Sequence, residues 1–225
     1  MKKVLKYTLI IISVILSIFL LQGYLKYVIA INTTPLEEKV SEIRASEDFT
    51  PLSEIPDTFV NAMFSVEDRR FYSHNGFDII GTGRALITDI KNMELLEGGS
   101  TISQQLAKNM YFPLDNSPTR KLSEIFMALT IESTYSKEEI LELYFNIIYY
   151  GKNCYNIHDA AKTYFNKAPI NMTDYECTLL AGIPNAPSVY SKNPKLAAER
   201  QRKVLRSMVD SGYISQERMN EILNK

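Results

Sequence analysis

The chain is short of the features that most often identify a protein's chemistry. It has only two cysteines, Cys154 and Cys177, with neither CxxC spacing nor a neighbouring histidine pair. That argues against a structural zinc site, and spacing by itself does not show whether the two thiols meet in a disulfide. It has no excess of either charge, with a net charge of −1 over 225 residues, so there is no electrostatic case for nucleic acid as a partner. The basic stretch from Lys192 to Arg206 reads as the wet face of a helix. Internal repeats and low-complexity tracts are missing, and alternating β-branched runs are few. What remains is an ordinary folded composition, 23% charged and 45% hydrophobic, at a length that suits one domain with a small appendage.

The appendage is at the start. Lys2, Lys3 and Lys6 precede an uncharged apolar run from Tyr7 to Leu21, which continues past Gln22 and Gly23 towards Ile31. A helix needs about 20 residues to cross the hydrocarbon core. The run reaches that length if Gln22 to Tyr24 lie at the interface, where tyrosine is favoured and Lys26 can snorkel. A cleaved secretory signal is the competing reading, but no A-x-A site follows Leu21. The organisation expected is a cytoplasmic tail over 1–6, a transmembrane anchor over 7–31, a polar connector or stalk over 32–52 and an extracytoplasmic domain over 53–225. The leading lysines place the N-terminus inside the cell.

From Ser53 onward the pattern is helical. Pro56 and Asp57, Ser100 and Thr101, and Ser136 followed by Glu138 and Glu139 are start signals ahead of periodic apolar stretches. "TRKLSEIFMALTIESTY", "TDYECTLLAGIP" and "PKLAAERQRKVLRSMVDSGY" bring the count to at least six helices, so the fold class expected is all-α or nearly so.

Two acids stand in apolar company. If the first helix runs on through "EDRRFY", then Val60, Phe64, Glu67 and Phe71 share one face, with Glu67 in the middle of the stripe. Desolvation there would raise its pKa and suit it to general acid or base work. An arginine neutralising it as a structural pair is the equal alternative. Glu124 sits on a helix that is apolar on every side, with Arg120 and Lys121 one turn earlier, and Glu132 is a further embedded acid. An Arg120–Glu124 ion pair explains that site well. Two buried carboxylates near cations also make a pocket, and paired carboxylates are what sugar-transfer chemistry uses. "EGGSTISQQLAKN" adds a glycine pair at a helix start, where backbone N–H groups can meet an anion. Gln104, Gln105, Lys108 and Asn109 follow it along that helix.

Taken in order, "EDRRFYSHNGFD", "GGSTISQQLAKN", "RKLSEIFMALTIE", "KEEILELYFNIIYYG", "LLAGIPNAPSVYS" and "RQRKVLRSM" resemble the successive motifs of the family 51 peptidoglycan glycosyltransferases. The resemblance runs from about Ser53 to Met208, and the chain is similar to the monofunctional members. It implies a lysozyme-like, mostly α domain on a membrane anchor that polymerises lipid II into glycan strands outside the cytoplasm. Glu67 would be the general base and Glu124 the second acidic residue of the site. Lys108, Arg120 and Lys121 would face the undecaprenyl-pyrophosphate leaving group. Ser100, Thr101, Gln104, Gln105 and Asn109 would line the groove, and Asp68, Phe71, His74 and Gly76 would complete the first motif. His74 reads better as a structural histidine holding the loop around Gly76.

The implied partners are lipid II, the growing glycan chain, the membrane and other cell-wall synthesis proteins. The implied cofactor is a divalent metal, Mg²⁺ or Mn²⁺, held mainly by pyrophosphate. The stretch "IIGTGRALITDIKNMELLEGG" would be the mobile, membrane-facing side of the donor groove. Three positions depart from the family pattern: Asn116 replaces a usual arginine, Phe145 a usual leucine and Asn156 a common glycine. A lytic enzyme on the same scaffold and an inactive assembly partner are the competing functions.

Overall fold

A computed structural model describes residues 2–84 and 99–224. Among the described residues every regular element is helical. Helix α1 spans Lys2–Thr33 without a break, and α2 spans Leu36–Arg44. Then follow α3 (Asp57–Glu67), α4 (Ile102–Tyr111), α5 (Arg120–Thr134) and α6 (Lys137–Phe145). The chain closes with α7 (Ile157–Phe165), α8 (Asp174–Gly182), α9 (Pro194–Asp210) and α10 (Gln216–Leu223).

The start signals expected at Ser100–Thr101 and at Ser136 act as read, and Thr173 adds a third. Thr101, Ser136 and Thr173 each accept the backbone N–H three residues on, while Gln104, Glu139 and Glu176 reach back to the cap's own N–H. Each capping box satisfies orphan donors at both ends of its first turn. Asn156 similarly caps α7 by accepting from Asp159 N at 2.7 Å, which is what this residue does where the family often has glycine.

Helix α1 divides in two. Residues Val4 to Leu21 include a long series of exposed apolar side chains, and the helix is long and apolar enough to cross a membrane. From Gly23 onward it lies against α5. Residues 32–52, expected as a polar stalk, contain α2 instead, with Leu36 and Val40 buried in the core beside α6. The acids and lysines of that segment occupy only the outer side of a short amphipathic helix.

The core gathers Phe59 and Met63 of α3, Leu106 of α4, Ile131 of α5, Tyr144 of α6 and Tyr150, all fully buried. Phe145, standing where leucine is usual, packs edge-on against Phe59 with ring centroids 5.2 Å apart. Helices α8 and α9 close over α3. Cys154 and Cys177 are both buried free thiols, and burial pushes the Cys177 thiol up to about 12.

Helix α3 stops at Glu67 and does not run on to Tyr72. Phe71 belongs to a separate turn, Phe71–Ser73, although its ring still stacks on Phe64 at 5.5 Å. Glu67 is thus the last residue of its helix and not the centre of a continuous stripe.

Candidate active site

The end of α3 is an unfavourable place for an anion, because the helix dipole and the last free carbonyls are negative there. Burial adds to this. It raises the Glu67 carboxyl above its ordinary value, outweighing the Gln105 hydrogen bond and the Arg200 charge, and neighbouring Asp68 pushes in the same direction. Gln105 Nε2 donates to Glu67 Oε2 at 2.9 Å, and Tyr144 Oη donates to Gln105 Oε1 at 3.0 Å. The tyrosine's burial holds its own pKa well above 10, so it stays a donor and fixes which way the Gln105 amide points. Glu67 Oε1 has no hydrogen-bond partner, and the nearest cation, Arg200 Nη2, is 3.7 Å away. One carboxylate oxygen is therefore oriented and the other is left to accept.

Several expected substrate contacts are scaffold behind this acid. Asp68, 6% exposed, accepts from Ile102 N at 3.0 Å and holds His74 Nε2 at 3.0 Å. Through its two contacts Asp68 ties the end of α3 to the start of α4 and to the loop that carries His74. Gly76 has φ +85°, and a Cβ there would lie 2.9 Å from the Ala128 backbone, so only glycine fits. Its carbonyl accepts from Thr101 Oγ1 at 2.7 Å. Phe71 is buried against Phe64, and Gln104 is fully buried with its Oε1 spent on the Thr101 N–H. Phe71, Gly76 and Gln104, expected among the substrate-contacting residues, therefore do not line the open space, and neither does His74, which reads better as structural. Each is consumed in holding the loop that presents Glu67 and Ser100.

The open space next to Glu67 is a cavity of about 430 Å³. Asp68, Ser100 and Thr101 line it, together with Arg69, Arg70, Arg84, Arg200 and Lys203. The five cations are the part that sequence reasoning missed. Arg200 and Lys203 belong to the stretch read as a wet helix face, yet the Arg200 side chain is only 14% exposed. Gly182 makes room for it, since a Cβ there would meet Arg200 Cγ at 2.9 Å. The usable signal was the string "RQRK" itself, which opens the last family-like motif. Arg70 is already matched, donating bidentately to Asp78 with Nε–Oδ2 at 3.0 Å.

Glu124 has the opposite surroundings. It is 2% exposed and lies between Arg120 Nε at 2.9 Å, misaligned for a hydrogen bond, and Lys121 Nζ at 2.9 Å. Lys121 Nζ also donates to Ser100 Oγ at 2.6 Å, which links this cluster to the cavity wall. Glu132, the third embedded acid, is held by Lys137 at 2.8 Å and by Ser103. Lys108 and Asn109 are half-buried on α4, one turn beyond Gln105, and Lys108 is in no ion pair among the described residues. Asn116 is exposed in the loop before α5. Most of the stretch expected to be the mobile side of the groove, residues 85–98, lies outside the described residues.

Among the described residues no three His, Cys, Asp or Glu side chains converge as a metal cage. Asp68, Asp78 and Glu124, the acids nearest the cavity besides Glu67, are each matched to a cationic or imidazole partner. These residues do not fit a protein-held divalent ion.

Comparison with known sequences gives a consistent result. The family profile described as transglycosylase matches residues 35–209. A Cupriavidus necator protein named as a transglycosylase is 42% identical over 183 residues, covering 80% of this chain and 79% of its own length. Penicillin-binding protein 1A of Neisseria lactamica is 41% identical over 180 residues, covering 79% of this chain and 23% of that protein. Penicillin-binding protein 2D of Bacillus subtilis is 42% identical over 179 residues, covering 79% of this chain and 26% of that protein. The chain thus spans about a quarter of the length of these two penicillin-binding proteins.

Proposed function

Because the chain belongs to the transglycosylase family, the family 51 glycosyltransferases, we propose that it polymerises lipid II into peptidoglycan strands at the outer face of the cell membrane. The observation that carries this reading is Glu67, a buried carboxylate of raised pKa with one oxygen unpartnered beside a cation-lined cavity. A structural acid would have its charge matched, as Glu124 and Glu132 do. An acid that is desolvated, oriented through one oxygen and free at the other is suited to take a proton.

In the proposed reaction Glu67 Oε1 accepts the proton of the acceptor sugar's 4-hydroxyl. That oxygen attacks the anomeric carbon of the donor, the bond to pyrophosphate breaks, and the carbon is inverted to a β-1,4 link. Negative charge gathers on the departing pyrophosphate. Fixed cations stabilise it better than water, because they need no reorganisation as the charge develops. Lys108, Arg120 and Lys121 would serve the leaving group, with Ser100, Gln105 and Asn109 along the groove. Lys108, Arg120 and Lys121 lie outside the lining of the cavity beside Glu67, whose own cations include Arg200 and Lys203 and suit a second phosphorylated lipid. A divalent ion, where one takes part, would be held by pyrophosphate oxygens. Helix α1 would span the membrane with its N-terminal lysines in the cytoplasm.

The test is polymer formation from labelled lipid II with detergent-solubilised full chain, wild type beside Glu67→Gln. Polymer from the wild type and none from the variant supports both the reaction and its base. Polymer from both removes Glu67 from the role of base, and polymer from neither removes the reaction.

A further inference from the structure

The surface where α1 meets α5 is built more closely than a tether requires. A Cβ on Gly23 would lie 2.5 Å from Leu122 Cβ, so the two backbones are pressed together two residues beyond Arg120. Ser123 Oγ donates to Gly23 O at 3.0 Å, Tyr27 Oη meets Thr130 Oγ1 at 2.9 Å, and Phe126 sits against Tyr24 and Tyr27 with centroids 5.4 and 6.0 Å away. Between these contacts Lys26 reaches past α5 to the loop that precedes it. Its Nζ donates to Asp115 Oδ2 at 2.5 Å and to Ser117 Oγ at 2.6 Å.

That loop leads directly to the cationic cluster. Asp115 Oδ1 accepts from Ser117 N at 2.7 Å, and Asp115 O accepts from Arg120 Nη1 at 2.7 Å. Arg120 lies against Glu124, Glu124 holds Lys121, and Lys121 donates to Ser100 on the cavity wall. An unbroken series of polar contacts therefore joins the membrane helix to the site.

We propose that Lys26 is a positioning residue of the active site: it clamps the 115–117 loop so that the Asp115 carbonyl fixes the guanidinium of Arg120, and through Glu124 the ammonium of Lys121. A snorkelling lysine would point to lipid head groups and could be exchanged freely. Lys26 instead has two fixed acceptors and is about one-third exposed. The lysine's ammonium holds the Asp115 carboxyl down at about 2, so that carboxylate stays charged throughout the neutral range. Helix α1 is then part of the enzyme as well as its anchor. The catalytic consequence rests on the reading of the site as a lipid-pyrophosphate transferase, while the clamp itself does not.

The experiment uses the full chain in detergent, with Lys26→Met, Lys26→Arg and the distant control Lys6→Met. Amide hydrogen exchange over residues 115–123 should quicken about tenfold in Lys26→Met, recover in Lys26→Arg and stay at wild-type rates in Lys6→Met. Unchanged exchange in Lys26→Met overturns the clamp. On lipid II, Lys26→Met should lower kcat/KM about tenfold in the wild-type background but by less than about twofold in Arg120→Ala, because the two residues act as one unit. A full loss in both backgrounds overturns the route through Arg120. If exchange responds and the wild type makes no polymer, the clamp stands and the transferase reading fails.

Discussion

Glu67 and Glu124 are both buried glutamates beside arginine, and they do different things. Glu124 is enclosed by two cations at 2.9 Å. Glu67 has one cation at 3.7 Å and an oxygen with no partner. In the first case burial is compensated and the acid fixes the cations around it. In the second it is not, and the uncompensated charge is stored as proton affinity. Burial of a carboxylate therefore does not identify a base, and neither does an unfilled acceptor, since Glu124 Oε1 also lacks a hydrogen bond; what distinguishes Glu67 is that no cation among the described residues stands closer than 3.7 Å.

The contrast can be broken most sharply on activity. Glu67→Gln should cost about 10²–10⁴-fold in polymerisation rate, the usual weight of a general base, measured at saturating lipid II. Glu124→Gln should act chiefly by releasing Arg120 and Lys121. It should cost about 10-fold in kcat/KM, with a larger share in KM than Glu67→Gln shows.

Stability should separate the two acids in sign. Glu124→Gln leaves two cations with a neutral partner and should lower stability by about 1–2 kcal/mol in thermal or denaturant unfolding near neutral pH. Glu67→Gln should raise it. A carboxyl whose folded pKa is raised binds its proton more tightly in the folded chain, so its favourable contribution is present at acid pH and is lost as pH rises through the folded value. The neutral amide avoids that loss. The gain should be seen at neutral pH and vanish below the ordinary carboxylate range. Equal shifts for both variants, or a destabilised Glu67→Gln at neutral pH, would erase the distinction drawn here.

The smallest effect sharpens the comparison. Tyr144→Phe removes the donor that fixes the Gln105 amide. Glu67 then loses part of the hydrogen bond that favours its charged form. The acidic limb of the rate profile should move to higher pH, with a loss of about 2- to 5-fold in rate at neutral pH and little change in KM. An unmoved limb would take Tyr144 out of the base's environment.

Much of this was legible in the sequence because it is local. The helix starts at Thr101 and Ser136, the apolar length of α1 and the buried helix around Glu124 depend on residues within a turn or two of each other, and there short-range spacing decides the structure. Arg120–Glu124 was readable for the same reason. Periodicity misled at Phe71, where a helical stripe continued past the point at which Asp68 turns aside to cap α4 and bind His74. Composition misled at residues 32–52, where polar residues concealed the two apolar positions that α2 needs.

The sequence by itself determined an all-helical chain of this family with a membrane-length first helix and two candidate acids. Only the tertiary structure decided which acid is free to act, because the partners of Glu67 come from α4, α6 and α9, and their convergence is a property of packing. Only packing could turn Arg200 and Lys203 from a solvated face into a cavity wall, or carry Lys26 from the membrane helix to Asp115. Charges far apart in the chain interact strongly only once folding has removed the water between them, and no spacing rule reports where that happens.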